Sequence, residues 1–258
     1  MTIFVSVVSH SHGKVISELN CLLELSEDIV VVVKNNIEDS NLFTYLEGSN
    51  IHLIDSEYFL GFGHNNNIVF SYCKNKLGMR NDDYFIVLNP DLFANSINLK
   101  DLIFNMEKQG VQLASVNLFK DSNLEVPDNS IRRFPTLPDF ILSFLGLGNP
   151  SLIDKKRIFD PVRVDWAAGS LLAFKSSHYD LLKGFDEGYF MYCEDIDICY
   201  RSSLLGERLM FYPHIKLQHL TKHANRSVFS KHFAWHIKGI VRYLCVKHGL
   251  ISSKISLS

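Results

Sequence analysis

The amino-acid sequence predicts an α/β fold with a mostly parallel central sheet. Short apolar, β-branched runs recur along the first half of the chain, helical spacing lies between them, and each run is followed by polar or glycine-rich residues. Runs without polar alternation are typical of strands covered on both faces. The chain has 258 residues, of which 47% are hydrophobic and 21% charged. That length and composition indicate one sizeable globular domain.

The first unit reads strand, helix, strand. Residues 3–8 and 29–33 form the predicted strands, and leucines at helical spacing lie between them. Ligands of such sheets bind outside the carboxyl ends of the strands. We therefore expect residues 9–13 and 34–36 to share one crevice.

Two more strands are predicted before residue 90. Residues 51–54 form the third, and the glycines at 61 and 63 then introduce a helix near His64, where backbone N–H groups can approach a phosphate. A plain turn is the alternative for these glycines. Residues 84–88 form the fourth strand, which ends in Asn89, Pro90 and Asp91. A carboxylate at the tip of a central strand can hold a hard divalent cation against diphosphate oxygens, although an Asx turn also explains it.

An apolar segment, FILSFLGL, occupies residues 140–147. It is too short to cross a bilayer, so it is either a core helix or a patch that dips into an interface. We expect the core helix. The other predicted elements are a helix at 99–106, a strand at 113–118, a loop at 132–138 and strands at 164–174 and 208–212.

The stretch GFDEGYFMYCEDIDICYR, residues 184–201, places Glu194, Asp195 and Asp197 at a predicted helix start behind four aromatic residues. Acidic residues in a first helical turn complement the helix dipole, and Asp197 can pair with Arg201 four residues later. Asp195 differs, because the apolar residues three and four positions on indicate that its face of the helix points inward. A carboxylate at the edge of an apolar site is a candidate general base.

Composition narrows the class of protein further. Five cysteines without a CxxC pair argue against a disulfide framework and a thiolate zinc site, and favour a reducing cytoplasm. We see no signal peptide and no apolar run of the roughly 18 residues that span a bilayer. Net charge is −2, yet the chain from Arg208 onward carries nine Lys and Arg and no Asp or Glu.

This basic end predicts an anionic partner. In a helix over 231–242, one face would carry Lys231, Trp235, Lys238 and Arg242, and the other mainly Phe233, Ile237, Ile240, Val241 and Leu244. A solvated face on a packed terminal helix is the alternative. Because the basic residues are spread among apolar ones and are not blocked in a run, we expect no nucleic acid; the lipid-linked acceptor that the family resemblance described below implies makes an anionic membrane surface the expected partner.

The stretch at 184–201 resembles the signature of inverting family 2 glycosyltransferases, specifically the bacterial rhamnosyltransferases that build lipopolysaccharide O-antigen. The similarity continues through FLGFGHNNN at 59–67, VLNPD at 87–91, VDWAAGS at 164–170 and HANRSVFSK at 223–231. It implies a GT-A type nucleotide-sugar-binding domain over residues 1–228. Residues 229–258 would be a basic, amphipathic helical extension of the same structural unit.

The resemblance also implies the reaction, which is inverting transfer of L-rhamnose from dTDP-rhamnose to a sugar on a polyprenyl diphosphate, α-1,3 to GlcNAc. Asp195 would be the catalytic base, and Asp91 with His219 would hold Mg²⁺ or Mn²⁺. Such an enzyme would work as a peripheral protein on the cytoplasmic face of the bacterial inner membrane.

The same resemblance assigns the binding residues. The expected donor contacts are Ser9, Asn35, Gly63, Asn67, Asn89 and Arg226, and the expected acceptor contacts are Trp166, Gly169 and Glu194. Asn35 and Asn89 occupy positions at which the family usually has acidic residues. Asn89 replaces the first aspartate of the family's DxD motif. A core tryptophan is the alternative for Trp166.

Three rival functions use the same residues. The chain could transfer another sugar from a donor such as a UDP-hexose, or serve as a catalytically silent subunit of a polysaccharide assembly complex. The presence of Asp91, Asp195 and His219 together argues against a catalytically silent subunit. A nucleotidyltransferase shares the crevice but leaves the acidic helix unexplained.

Overall fold

The structure is a computed structural model that describes residues 1–220 and 231–254. Its strands are β1 (Ile3–Ser9), β2 (Val30–Asn35), β3 (His52–Ile54), β4 (Tyr84–Leu88), β5 (Leu92–Phe93), β6 (Leu113–Phe119), β7 (Ile131–Arg132), β8 (Val162–Arg163), β9 (Trp166–Ala167), β10 (Leu171–Lys175) and β11 (Met210–His219). Its α-helices are α1 (Gly13–Leu19), α2 (Cys21–Asp28), α3 (Ser40–Leu46), α4 (Phe62–Lys76), α5 (Ser96–Gln109), α6 (Leu137–Phe144), α7 (Ser176–Leu181), α8 (Glu194–Leu204) and α9 (Lys231–Lys247). One 3₁₀ turn spans Lys155–Arg157.

The main sheet has nine strands, ordered β3-β2-β1-β4-β10-β6-β11-β5, with β8 paired to β11. Strands β3, β2, β1 and β4 are mutually parallel, as predicted for the first half of the chain. Strand β10 runs antiparallel between β4 and β6, so the second half of the sheet is mixed. Strands β7 and β9 form a separate pair. The predicted α/β class is confirmed.

Both faces of the sheet are buried, which explains the unbroken apolar runs. Along β4, Ile86 packs into a core on one face together with α1, α2, α3 and α5, while Phe85 packs on the other face with α4, α7 and α8. Successive side chains of a strand point to opposite faces, so a strand covered on both sides needs apolar residues at every position.

Several predicted elements have different bounds in the structure. The first predicted helix is divided at Asn20, which has a left-handed backbone with φ of 49°. The predicted strand at 164–174 is divided into β9 and β10, with residues 168–170 between them. The strand predicted at 208–212 continues to His219, with a change of register between Tyr212 and Lys216.

Helix α6 corrects one prediction. We expected the apolar segment to be a core helix, but of the α6 residues only Phe140 is buried, and most others lie at the surface. Pro138 lies in the first turn, and Thr136 and Asp139 form a capping box that starts the helix. The apolar run is therefore a surface helix.

Helix α9 packs against the segment that leads into α8. A Cβ atom on Gly239 would lie 2.6 Å from the carbonyl oxygen of Tyr192, so only glycine permits this approach. Ile240 and Tyr243 are buried, whereas Ile237 and Val241, predicted on the same apolar face, are exposed. No helix of the described ranges is long and apolar enough to cross a membrane. The division into residues 1–228 and 229–258 stays a prediction.

Candidate active site

Antiparallel pairing of β4 with β10 brings the acidic helix to the tip of β4. The N–H of Asn89, just after β4, donates to the carbonyl of Ser170 over 2.9 Å. The neighbouring N–H, of Gly169, donates to Oδ2 of Asp195 over 3.1 Å. Residues that are about a hundred positions apart in the sequence therefore lie at one edge of the sheet.

Asp195 is held as a half-buried acceptor of two backbone hydrogen bonds. Besides the bond from Gly169, its Oδ1 accepts from the N–H of Ile196 at 2.9 Å. Burial raises the pKa of Asp195, and these two hydrogen bonds together with the charge of Arg132 oppose that rise. The site thus stabilises the carboxylate of Asp195 relative to its buried neighbour.

That neighbour is Glu194, which is buried and lacks the hydrogen bond from Gly169 that supports Asp195. Its Oε2 finds no hydrogen-bond partner among the described residues. Burial and the adjacent charge of Asp195 raise the pKa of Glu194 to about 8. Within this acidic pair Glu194 therefore holds a proton more readily, and Asp195 is the better-stabilised carboxylate.

Asp197 has the structural role that the sequence predicts. Its Oδ2 accepts from Nε of Arg201 at 2.7 Å, and Arg201 also donates to the carbonyls of Leu182 and Gly184. Asp197 is fully buried, and Tyr189 donates its hydroxyl to the other carboxylate oxygen. The predicted Asp197–Arg201 pair is confirmed, and it ties α8 to the turn at the start of the acidic stretch.

A second cluster surrounds His219 at the end of β11. Strands β5 and β11 pair so that His219 lies opposite Leu92, the residue after Asp91. Nε2 of His219 is 3.2 Å from Oδ1 of Asp91, and Nδ1 is 2.7 Å from Oδ2 of Asp128. Burial alone would lower the pKa of His219, but the two carboxylates outweigh it and raise the pKa to about 9.

The Asp91–His219 pair suits a divalent cation in one respect. Two neighbouring ligands of an octahedral ion, each at about 2.1 Å, are about 3 Å apart, close to the separation of these two atoms. Oδ1 of Asp91 is buried and has no hydrogen-bond partner among the described residues apart from its charge contact with His219. Within residues 1–220 and 231–254, no group of three or more His, Cys, Asp or Glu is arranged to hold a metal. A cation here would need further ligands from a bound substrate or water.

Two of the expected donor contacts, Ser9 and Asn67, are buried in the structure. Ser9 is fully buried, and its hydroxyl oxygen accepts from the N–H of His12. Asn67 is also buried, and its amide bonds to the Tyr179 hydroxyl and to both backbone groups of Phe185. These side chains have no surface to offer a nucleotide, because they serve the protein's own loops.

Gly63 lies at a close contact between α4 and the acidic stretch. A Cβ atom there would lie 2.6 Å from Cβ of Phe185, and one on Gly61 would lie 2.6 Å from the carbonyl oxygen of Phe190. The N–H of Phe62, at the start of α4, donates to that same carbonyl. The glycines therefore allow α4 to pack against the acidic stretch, and a contact of Gly63 with the donor phosphates stays a prediction.

Asn35 is fully buried at the end of β2, and its amide donates to Oδ1 of Asp55. Its own Oδ1 has no partner among the described residues. Asp55 is exposed and also accepts the hydroxyl of Tyr58. At this edge the surface group is therefore Asp55, directly after the third strand, and Asn35 lies behind it.

The remaining expected contacts have mixed outcomes. Trp166 is buried, its indole N–H donates to the carbonyl of Arg133, and the guanidinium of Arg132 lies 5.2 Å from its ring centre. This burial agrees with the core alternative for Trp166, and stacking on an acceptor sugar stays a prediction. Gly169 orients Asp195, Asn89 is half-buried at the tip of β4, and Arg226 lies outside the described residues.

Sequence reasoning missed three residues of this region: Asp55, Asp128 and Arg132. Asp55 carried a usable signal, since it follows a strand in the same way as Asp91. Asp128 carried none, because it reaches His219 from a loop 91 positions earlier. Arg132 was recognised only as part of an arginine-containing loop.

Comparison with solved structures defines the class of protein. The crystal structure of GalNAc-T7 with UDP, GalNAc and Mn²⁺ matches with a TM-score of 0.66 at 16% sequence identity, over 95% of this chain and 47% of that chain. The chain thus spans about half of GalNAc-T7, and the likeness shows a glycosyltransferase fold of the GT-A type. A scan against protein-family models finds no match.

Sequence relatives define the family. The chain is 38% identical over 247 residues to rhamnosyltransferase WbbL of Escherichia coli K12, which covers 95% of this chain and 93% of WbbL. It therefore belongs to the inverting family 2 glycosyltransferases, with the bacterial rhamnosyltransferases. It is also 28% identical over 178 residues, 65% of this chain and 56% of the relative, to N-acetylglucosaminyl-diphospho-decaprenol L-rhamnosyltransferase of Mycobacterium tuberculosis.

Proposed function

We propose that the protein transfers L-rhamnose from dTDP-rhamnose, with inversion, to GlcNAc carried on a polyprenyl diphosphate during O-antigen or cell-wall synthesis. The main structural support for this function is that two backbone N–H groups orient Asp195 at the sheet edge where Asp91 also lies. Nearly full-length similarity to WbbL supports rhamnose, and the name of the mycobacterial relative supports a lipid-linked GlcNAc acceptor.

In the proposed reaction Asp195 accepts the proton of the acceptor hydroxyl. The acceptor oxygen forms a bond to the anomeric carbon of rhamnose as the bond from that carbon to the dTDP oxygen breaks on the opposite face. The electron pair of the broken bond leaves with the diphosphate. General base catalysis of this kind contributes about 10²–10⁴-fold to a rate.

Glu194 supports the base by staying protonated. A second anion beside Asp195 would make proton acceptance easier but would destabilise the fold, because both groups are shielded from water. The uncharged Glu194 leaves one proton acceptor, fixed by Gly169, at the site. Its expected contact with the acceptor stays a prediction.

Asp91 and His219 would hold Mg²⁺ or Mn²⁺. When bound, the cation supplies positive charge for the leaving diphosphate. The chain's own part is to orient these ligands, and Asp128 does so by accepting from Nδ1 of His219, which leaves Nε2 facing Asp91. On the donor side, Asn35, Asn89 and Arg226 stay proposed contacts.

We also propose that the enzyme works at the cytoplasmic face of the inner membrane, where a polyprenyl-linked acceptor resides. Lys231 and Lys238 are exposed on α9 and suit an anionic surface. Arg242, predicted on the same face, is a correction, because its guanidinium pairs with the buried Asp186 at 2.9 Å. The electrostatic attraction therefore rests on the two lysines.

The test is to incubate the purified protein with dTDP-rhamnose, UDP-hexoses and GDP-sugars in turn, each with GlcNAc-diphosphate-polyprenol, and to determine the product mass. We expect one deoxyhexose to be added from dTDP-rhamnose alone. Transfer only from a UDP-hexose would replace rhamnose with the rival donor. No transfer from any donor, with native dTDP binding, would favour the silent subunit.

A further inference from the structure

Helix α6 and the turn after it expose an unusual set of large apolar side chains. The exposed fractions of Leu137, Ile141, Phe144, Leu145 and Leu147 range from 43% to 69%. Two side chains of α9, Ile237 and Val241, are exposed as well. We call these seven residues the α6–α9 apolar surface. Contiguous apolar patches of this kind mark sites of interaction with other molecules or membranes.

Packing between the two helices makes this surface continuous. The ring of Phe144 lies 5.5 Å from the ring of Phe233 and 5.5 Å from that of His236, both on α9. Phe140, the buried residue of α6, packs against Tyr243 of the same helix. Three ring contacts, from Phe140 and Phe144, thus fix α6 on α9, and most of the other apolar side chains of α6 remain exposed.

The charges around the surface are basic. Lys231 and Lys238 are exposed on α9, beside Ile237 and Val241 on the outer side of the helix. Asp139 is the acidic residue of α6, and its carboxylate accepts from the backbone N–H and the hydroxyl of Thr136. An apolar helix bordered by lysines is the arrangement of helices that lie in the plane of a bilayer surface.

The surface is also tied closely to the catalytic carboxylate. Trp235 of α9 packs on Phe190 with ring centres 4.6 Å apart, and Gly239 approaches Tyr192, both within the acidic stretch. Lys247 of α9 donates to the carbonyl of Pro135, in the loop that joins β7 to α6. Helix α9, which carries Ile237 and Val241 of this surface, is therefore packed against the residues that lead into Asp195.

We infer that the α6–α9 apolar surface inserts into the boundary between headgroups and acyl chains of an anionic bilayer, with α6 lying parallel to the membrane plane. This inference rests on the proposed function, since a polyprenyl-linked acceptor presents its sugar at that boundary. The lysines attract the protein to the surface, and the apolar side chains make the attachment resistant to salt.

The experiment measures co-sedimentation with phosphatidylcholine vesicles that contain phosphatidylglycerol, at low and high salt. We expect the double substitution Ile141→Glu and Leu145→Glu to lower the partition coefficient at least about tenfold at both salt concentrations. Lys231→Glu with Lys238→Glu should remove mainly the salt-sensitive part. The matched control is Ile97→Glu with Phe104→Glu, which places the same charges on exposed apolar positions of α5 and should bind as the wild type does.

A second readout separates this inference from the proposed reaction. Each variant is assayed for transfer to a water-soluble GlcNAc-diphosphate with a short alkyl chain, and its melting temperature is compared with wild type. The Ile141→Glu, Leu145→Glu variant should keep the wild-type transfer rate and melting temperature while losing vesicle binding. Vesicle binding equal to wild type in that variant overturns the inference, as does a dimer-to-monomer change without loss of vesicle binding, which would make the surface a protein interface. Absence of rhamnose transfer with intact, α6-dependent vesicle binding would overturn the proposed function instead.

Discussion

Asp128 and Asp91 hold His219 from opposite sides, with Oδ2 of Asp128 2.7 Å from Nδ1 and Oδ1 of Asp91 3.2 Å from Nε2. A carboxylate on one ring nitrogen fixes the orientation of the ring and decides which nitrogen faces outward. Asp128 is therefore a positioning residue for the proposed metal ligand, although it lies in a loop 91 positions before His219.

We expect Asp128→Ala to weaken binding of Mn²⁺ in the presence of dTDP by about 10–100-fold, because His219 loses its support. Asp128→Asn should be intermediate, since an amide oxygen still accepts from Nδ1. Electron paramagnetic resonance of free Mn²⁺ measures the affinity directly. Asp82→Asn, an exposed carboxylate at the other end of β4, is the control. Unchanged affinity in Asp128→Ala would remove the positioning role.

Removal of divalent cations should abolish sugar transfer, because Asp91 otherwise faces a diphosphate of like charge. Activity should vanish in EDTA and return with Mg²⁺ or Mn²⁺. Rates after exhaustive dialysis and stepwise addition of each ion provide the measurement. Full activity in metal-free buffer would show that the Asp91–His219 pair acts without a cation.

Substitutions in the acidic pair should separate its two members. Asp195→Asn should lower the turnover number by about 10²–10⁴-fold while dTDP binding by titration calorimetry stays near wild type. Glu194→Gln keeps an uncharged side chain at a position that is already uncharged near neutral pH, so turnover at pH 7 should stay within a few-fold of wild type. The opposite order of the two effects would exchange the roles of Asp195 and Glu194.

The raised pKa of Glu194 also predicts how stability depends on pH. Its folded-state pKa, about 8, lies above the ordinary value of 4.5, so the folded protein binds more protons between these values than the unfolded chain. Stability from this group is complete below about pH 4.5 and is lost as pH rises through 8. Glu194→Gln cannot ionise, so its melting temperature should gain on wild type as pH is raised from 5 to 9. A constant difference would contradict the raised pKa.

Loss of Arg242 should destabilise the fold, because Asp186 would be left as a buried, unpaired carboxylate. Asp186 is fully buried and accepts from both Nε and Nη2 of Arg242. Breaking such a pair costs about 3–5 kcal/mol, and Arg242→Ala should lower the free energy of unfolding by that amount in urea titration. Lys238→Ala, an exposed position on the same helix, should change it by less than about 0.5 kcal/mol. Equal losses of unfolding free energy in the two variants would show that the Arg242–Asp186 ion pair does not stabilise the fold.

Much of the fold was predictable because the central strands β1, β2, β4 and β6 are buried on both faces and leave unbroken apolar runs. The bounds of β4 agree with the prediction, and the pairing of Asp197 with Arg201 followed from helical spacing alone. The prediction that α6 is a core helix was wrong for a physical reason. An apolar run indicates burial only if something covers it, and local sequence does not say whether a neighbouring element does.

The site was less predictable, since polar residues look the same in sequence whether they bind a ligand or the protein itself. Ser9 and Asn67 are polar residues near predicted strand ends or helix starts, and the structure uses both for internal hydrogen bonds. Asp128 reaches His219 only through the pairing of distant strands, which spacing does not reveal.

The carboxylate of Asp186 binds α9 and the residues after it to the acidic stretch. It accepts from Arg242 and from the backbone N–H of Lys254, while the carbonyl of Lys254 accepts from the N–H of Glu187. A shortened protein that ends before α9 would lose these clamps and with them the bracing of the turn that precedes Glu194. A protein truncated before α9 is thus a poor choice for an isolated catalytic domain, because Arg242 and Lys254 hold the turn that leads into helix α8.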